Sequence, residues 1–319
     1  MAGDTLPGGF LTRDPLPLEG RTVLVTGVSR RRGIGHAIAC RAAAYGASVV
    51  AHHYAPHDAA QPWGADDIGA VMDSVRSHLR PGAVLVDVPG DLAVPGEPQR
   101  VFDTALRARG KVDALVCNQA MSGPDGALGA LTEEVLDAHW AVDARASLLL
   151  AQAFATQPGL GAAPRARAQP GTGAGTACGP ADPAGPGGAS GGSGSATSAE
   201  GSSWRGGAIV FLTSGQGLGP MPGEVAYAAA KAALAGVTLT VADQLADQHI
   251  RVNTVNPGPV DSGYATREDM AQTAPMFPFG RWGEPDDAAR LITWLLTDEA
   301  RWVTGQVISS EGGFARWRH

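Results

Sequence analysis

Short apolar runs rich in β-branched residues recur along this chain, and between them the apolar positions fall three or four residues apart. The runs predict strands at residues 22–26, 48–52, 83–87, 112–117, 208–213, 250–255 and 306–309. Ile68, Val71, Met72, Val75 and Leu79 share one helical face, and Pro81-Gly82 stops that helix. Val101, Phe102, Ala105 and Leu106 form a second stripe, and a small-residue helix is expected at 36–45, closed by Gly46. Strands alternating with helices make βαβ units. The expected fold class is therefore α/β, a doubly wound seven-stranded parallel sheet with right-handed crossovers and helices on both faces. Ligands of such sheets bind beyond the carboxyl ends of the strands, so chemistry is to be sought there.

One stretch breaks the pattern. Residues 158–207 are almost entirely Gly, Ala, Pro, Ser and Thr, with too few apolar anchors to offset the entropy of ordering a backbone. They read as a disordered low-complexity insert within a single domain at 21–319, and residues 1–20 read as an N-terminal extension. Closure cost rises slowly with loop length, so the core tolerates such an insert. Charged residues are 17% of the 319 and net charge is −7, which leaves no basic field for nucleic acid. The longest apolar runs, such as residues 208–212, fall far short of the roughly 20 residues that span a bilayer, and no basic-then-apolar leader opens the chain. The expectation is a soluble cytoplasmic protein without membrane partners. Cys40, Cys117 and Cys178 are odd in number and widely spaced, and His36, His52 and His53 lack ligand spacing, so neither a disulfide framework nor a metal site is expected.

The candidate chemistry lies at strand ends. The first strand runs into T-G-V-S-R-R-R-G-I-G at 26–35. Gly27, Gly33 and Gly35 would let the backbone approach a pyrophosphate, whose charge the start of the next helix favours. Alone, these glycines also suit a plain tight turn. After the fifth strand comes Ser214, then Tyr227 and Lys231 in Y-A-A-A-K. Of 24 basic residues only Lys111 and Lys231 are lysine. Tyrosine and lysine four apart share a helical face. A phenol ionises near pH 10, so acid–base work near neutrality needs something to stabilise its phenolate. A neighbouring ammonium does so, and a serine hydroxyl can orient the substrate oxygen. An isolated Tyr-x-x-x-Lys pair also suits a solvated helix face; the upstream serine and the glycine turn favour a site. N-P-G-P-V-D-S at 256–262 is by itself an ordinary Pro-Gly turn after the sixth strand.

In order and spacing these motifs resemble the short-chain dehydrogenase/reductase family, from Arg21 to about Phe314 apart from the insert. The family's nucleotide loop usually reads T-G-x-x-x-G-x-G, and here it is two residues longer. The resemblance implies a Rossmann-type fold, with Ser214, Tyr227 and Lys231 as catalytic residues. It also implies cofactor contacts from Gly27, Ser29, Arg30, Arg32, Gly33, Ile34, Gly35, His53, Asp91, Leu92, Asn118, Tyr227, Lys231, Pro257, Gly258, Val260 and Ser262. The family's N-N-A-G reads Cys117-Asn118-Gln119-Ala120 here. Asp143, in A-V-D-A-R-A, occupies the place of the family's fourth catalytic residue, an asparagine that links the lysine through water to solvent. We expect Asp143 to pair towards Lys231 in a working relay; the plainer reading is a solvent-facing or helix-capping carboxylate.

Cofactor and substrate follow from the same resemblance. The second strand ends in His52-His53-Tyr54 with no carboxylate until Asp58, and Arg30, Arg31 and Arg32 have the fork geometry for a 2′-phosphate. NADP(H) is therefore expected over NAD(H), although solvated loop arginines are the plainer alternative. Asp91-Leu92 is preferred to Asp87-Val88 as the acidic-apolar pair that faces adenine. Residues 263–282, carrying Tyr264, Met270, Met276, Phe277 and Phe279, form the variable lid. They line a partly hydrophobic carbonyl site, or pack on their own core or on a second subunit. The tail at 305–314 resembles the family's last strand and turn and implies a homodimer or homotetramer. The implied activity is NADP-dependent hydride transfer between nicotinamide and a carbonyl or secondary alcohol, as in 3-oxoacyl-carrier-protein reductases. The rival is a catalytically impaired dinucleotide-binding sensor or scaffold on the same fold.

Overall fold

The structure is a computed structural model that describes residues 13–160 and 206–315. Seven parallel strands, β1 (Thr22–Val25), β2 (Ser48–His53), β3 (Leu85–Pro89), β4 (Ala114–Cys117), β5 (Ala208–Leu212), β6 (Arg251–Asn256) and β7 (Val307–Ser309), form one sheet. Their order is β3-β2-β1-β4-β5-β6-β7. The order reverses between β1 and β4, and this reversal opens the crevice where such sheets take ligands.

Helices cover both faces, which is why the central strands are near-continuous apolar runs. On one face lie α1 (Ile34–Ala44), α3 (Ile68–Arg76) and α9 (Pro285–Leu295), with Ile38, Val71 and Ile292 buried among them, and the short α2 (Ala55–Ala59) borders the crevice. On the other lie α4 (Glu97–Arg109), α5 (Glu133–His139), α6 (Ala146–Thr156) and α7 (Val225–Leu245), around Phe102, Phe154 and Leu234. α8 (Arg267–Thr273) lies in the lid segment. The period-2 alternation of β1 feeds both layers: Val23 and Val25 enter the first core and Leu24 the second.

Several elements differ from the sequence expectation, β4 among them, which begins at Ala114 rather than at 112. β3 lies two residues later and ends in Pro89, because an edge strand tolerates a residue with no N–H to donate. α1 begins at Ile34, inside the glycine turn rather than after it. Residues 225–248 are, by length and mean hydropathy (1.5), apolar enough to cross a bilayer, which the sequence reading missed among their small residues. The same composition suits a core helix: Leu234 is fully buried, and Thr238 Oγ1 bonds Thr254 Oγ1 of β6 at 2.6 Å.

Both flanking segments are tied to the core where they are described. Leu18 is fully buried and its N–H donates to the Tyr45 carbonyl at 3.0 Å. Leu160 is buried, and a Cβ on Gly207 would meet the Phe154 ring at 2.6 Å. The rest of the expected insert, with Cys178, and residues 1–12 of the expected extension lie outside the described residues.

Candidate functional site

The crevice beyond β1 and β4 is built by close backbone approach. Gly27 adopts φ +73°, and a Cβ there would lie 2.8 Å from Asn118 Nδ2. A Cβ on Gly35 would overlap the Gly27 carbonyl and lie 2.6 Å from the same amide. Asn118 closes this joint by donating from Nδ2 to the carbonyls of Thr26 (3.0 Å) and Gly27 (3.3 Å). α1 follows Gly33 with no side-chain cap and no acidic residue in its first turn, leaving its first N–H groups for an anion. His52 supports the turn from below. Its Nε2–H donates to Gly90 O (2.9 Å) and its Nδ1 accepts from Gly27 N–H (3.4 Å). This arrangement requires a neutral ring, and burial pushes the His52 pKa down to about 4.

Deeper in the crevice, α5 and α6 are joined by a π-helical turn, Trp140–Arg145. Such widened turns leave backbone groups to be satisfied from outside the helix. Gln119 does this: Nε2 donates to Val142 O (3.1 Å) and Ser147 Oγ (2.8 Å), while Oε1 accepts from Thr26 Oγ1. The departure from N-N-A-G thus joins the end of β1 to the widened turn.

That turn aims Asp143 inward. Its side chain is fully buried; Oδ1 accepts from Met121 N–H (3.0 Å) and lies 3.4 Å from Lys231 Nζ. Lys231 Nζ also donates to the carbonyls of Leu212 (3.2 Å) and Gln119 (3.5 Å). Burial works against the ammonium, but Asp143 and the Tyr227 phenol outweigh it and hold Lys231 above the ordinary lysine value. Lys231 Nζ stands 5.5 Å from the centre of the Tyr227 ring. The sequence argument expected the ammonium to lower the tyrosine pKa. Here burial raises it, with Lys231 and Ser214 pulling down and Asp143 adding to the rise.

Asp125, which the sequence reading missed, anchors the helix carrying these groups. Its carboxylate accepts from the N–H groups of Ala226 (3.0 Å), Tyr227 (2.9 Å) and Gly126 (2.7 Å), serving as a cap supplied from another loop. Burial alone would raise the Asp125 pKa, but these three donors bring it below the ordinary carboxylate value. Its contribution to stability is therefore present at neutral pH and lost as pH falls through that lowered value. Asp125→Ala is expected to cost about 1–2 kcal/mol in urea unfolding at pH 7. An unchanged midpoint would show that water caps the helix equally well.

Most of the residues singled out in the sequence meet in one cavity of about 1220 Å³. Gly27, Ser29, Arg30, Gly33, Ile34, Asp91, Leu92 and Asn118 line it, as do Pro257, Gly258, Val260 and Ser262, together with Ser214, Tyr227 and Lys231. His53 does not join them. As the last residue of β2 it points to the opposite face from His52, and its Nε2 bonds Asp87 at 2.7 Å. Nor do Arg31 and Arg32: Arg31 is held by Asp66 (2.7 and 2.9 Å) and Arg32 by Asp261 (2.8 and 2.9 Å), both with outward-facing side chains. Only Arg30 of the three faces the cavity. Its Nε lies 3.0 Å from Asp58, its Nη1 donates to Ser262 O (2.9 Å), and its guanidinium stacks on Trp63. Gly35 lies behind the lining, where its missing side chain permits the contact with Gly27. The lid divides in two: Phe277 packs on Phe314 and Trp282, whereas Tyr264, Trp282 and Phe314 also border the cavity.

Crevice, tyrosine and lysine define a dinucleotide-dependent oxidoreductase of the short-chain type. Comparison with known proteins agrees. The family profile described as Enoyl-(Acyl carrier protein) reductase matches residues 27–162 and 195–315. The chain is 33% identical over 296 residues to the uncharacterized oxidoreductase YjdA of Bacillus subtilis, covering 93% of this chain and 97% of that protein. Among solved structures, the promiscuous reductase LugOII, which catalyses keto-reduction in lugdunomycin biosynthesis, is 30% identical with a TM-score of 0.68, covering 93% of this chain and 98% of that one. The angucycline C-6 ketoreductase LanV with bound NADP is 27% identical with a TM-score of 0.69, covering 93% and 96%. The chain belongs to the short-chain dehydrogenase/reductase family and is an oxidoreductase.

Proposed function

We propose that the protein is a cytoplasmic, NADP(H)-dependent reductase of partly apolar ketones or aldehydes, 3-oxoacyl thioesters among them, and that it also runs the reverse alcohol oxidation. The observation that carries this reading is the convergence of Ser214, Tyr227 and Lys231 in the same cavity as the uncapped start of α1. The residues present fit a dinucleotide: Gly27, Gly33 and Ile34 would hold the pyrophosphate, Asp91 and Leu92 the adenine, and Pro257, Gly258, Val260 and Ser262 the nicotinamide end. When bound, the cofactor supplies or accepts the hydride. Ser214 orients the substrate oxygen. Tyr227 gives that oxygen its proton in reduction and takes it back in oxidation. Lys231 stabilises the phenolate so formed, and Asp143 holds Lys231 in place. The tail at 305–314, by its resemblance to the family's last strand and turn, favours a homodimer or homotetramer.

For cofactor choice we assign the 2′-phosphate to Arg30, which already faces the cavity; the NADP bound to LanV favours NADP as the cofactor. With a panel of ketones, aldehydes and 3-oxoacyl thioesters, kcat/KM is expected to favour NADPH over NADH by roughly tenfold or more, the worth of one charge-assisted bond. Arg30→Ala should remove most of that preference. A preference for NADH would assign Asp58 to the ribose hydroxyls instead. Cofactor binding without turnover across the panel would favour a sensor or scaffold.

A further inference from the structure

His139 ends α5 one helical turn before Asp143, is 2% exposed, and stands between two carboxylates. Its Nδ1 lies 3.5 Å from Asp143 Oδ2, an ion-pair contact, and neither atom has a hydrogen-bond partner among the described residues. Its Nε2 lies 3.3 Å from Pro124 O and 3.8 Å from Asp125 Oδ2. Each of these polar neighbours of the ring, among the described residues, is an acceptor. A neutral imidazole carries one N–H and would leave one nitrogen's lone pair facing an oxygen, whereas an imidazolium donates from both sides. From α7 the ring meets the Tyr227 ring edge-on, with centroids 6.1 Å apart, and Lys231 lies beyond Asp143.

We infer that His139 is a positioning residue that shares one proton with Asp143, so that the two form a neutral unit beside Lys231. The inference rests on the proposed reductase reading for its kinetic consequence only. A bare carboxylate at Asp143 would cancel much of the attraction that Lys231 exerts on the Tyr227 phenolate. With the shared proton, the position carries no net charge, as an amide there would not, and Lys231 acts on Tyr227 undiminished. Consistent with this, burial works against charge on His139, but Asp143, Pro124 and Asp125 outweigh it and hold its pKa above the ordinary histidine value.

Two measurements on the full chain test the unit. The first, NMR titration of the histidine rings with His139 assigned by its loss in His139→Gln, needs no substrate. His139 is expected to titrate above about 6.5 in the parent and about one unit or more lower in Asp143→Asn. Titration at or below about 6.5 in the parent, or no change in Asp143→Asn, overturns the inference whether or not the protein turns over. The second is the pH profile of alcohol oxidation, whose rising limb follows the phenolate. His139→Gln, which keeps a donor and removes the charge, should shift that limb alkaline by about one unit. His139→Gln with Asp143→Asn should return it to the parent position. A profile unmoved by the single change, or not restored by the pair, overturns the inference. Absence of any turnover, with the NMR titration as expected, counts against the reductase reading alone.

Discussion

Replacing Tyr227 by phenylalanine is expected to lower turnover by about 10²- to 10⁴-fold while leaving the Kd for NADPH within about threefold of the parent. The substitution removes one oxygen and keeps the ring, so the edge contact with His139 and the packing around α7 persist. What disappears is the phenolic O–H, the proton donor. Fluorescence titration with NADPH separates this outcome from misfolding. Retention of more than a tenth of parent turnover would mean that another group, or water, protonates the substrate oxygen. The raised Tyr227 pKa sets the direction with pH: the phenol stays protonated through neutrality, so reduction should hold its rate into the alkaline range whereas oxidation should still be rising there.

Lys231→Met is expected to cost about 3–5 kcal/mol of stability, besides abolishing turnover, because it leaves Asp143 and two buried carbonyls each short of a donor. The ammonium holds Asp143 and two carbonyls, those of Leu212 and Gln119, and a thioether serves none of them. Urea unfolding at pH 7 measures the loss. Because the folded-state pKa of Lys231 is raised, its contribution is fully present below the unfolded lysine value near 10.4 and declines as pH rises through the higher folded value. Parent and variant should therefore converge in strongly alkaline solution. A loss below about 1 kcal/mol at pH 7 would show that Asp143 is held by Met121 and His139 without the ammonium.

The strand runs and glycine turn were legible because burial on both faces leaves uninterrupted apolar segments, and because backbone approach to a phosphate leaves glycine little substitute. Ser214, Tyr227 and Lys231 were legible because one helical face and one strand end fix their meeting. Asp125 was hidden, since it caps a helix a hundred residues later in the chain and no local spacing announces that. His139 did leave a signal, its four-residue offset from Asp143, but the π-helical turn that points both inward has no periodic signature. The arginines misled for an electrostatic reason. Composition counts donors, whereas the fold had already matched Arg31 with Asp66 and Arg32 with Asp261.

The anchor points at Leu160 and Gly207 sit against Phe154 at the amino-terminal end of β5, whereas Ser214 follows the carboxyl end of the same strand. Whatever the intervening residues do, they join the molecule at its back. A fluorophore, affinity handle or surface tether grafted at Leu160 or Gly207 would attach at the opposite end of β5 from Ser214, making this junction the natural handle for immobilising the enzyme.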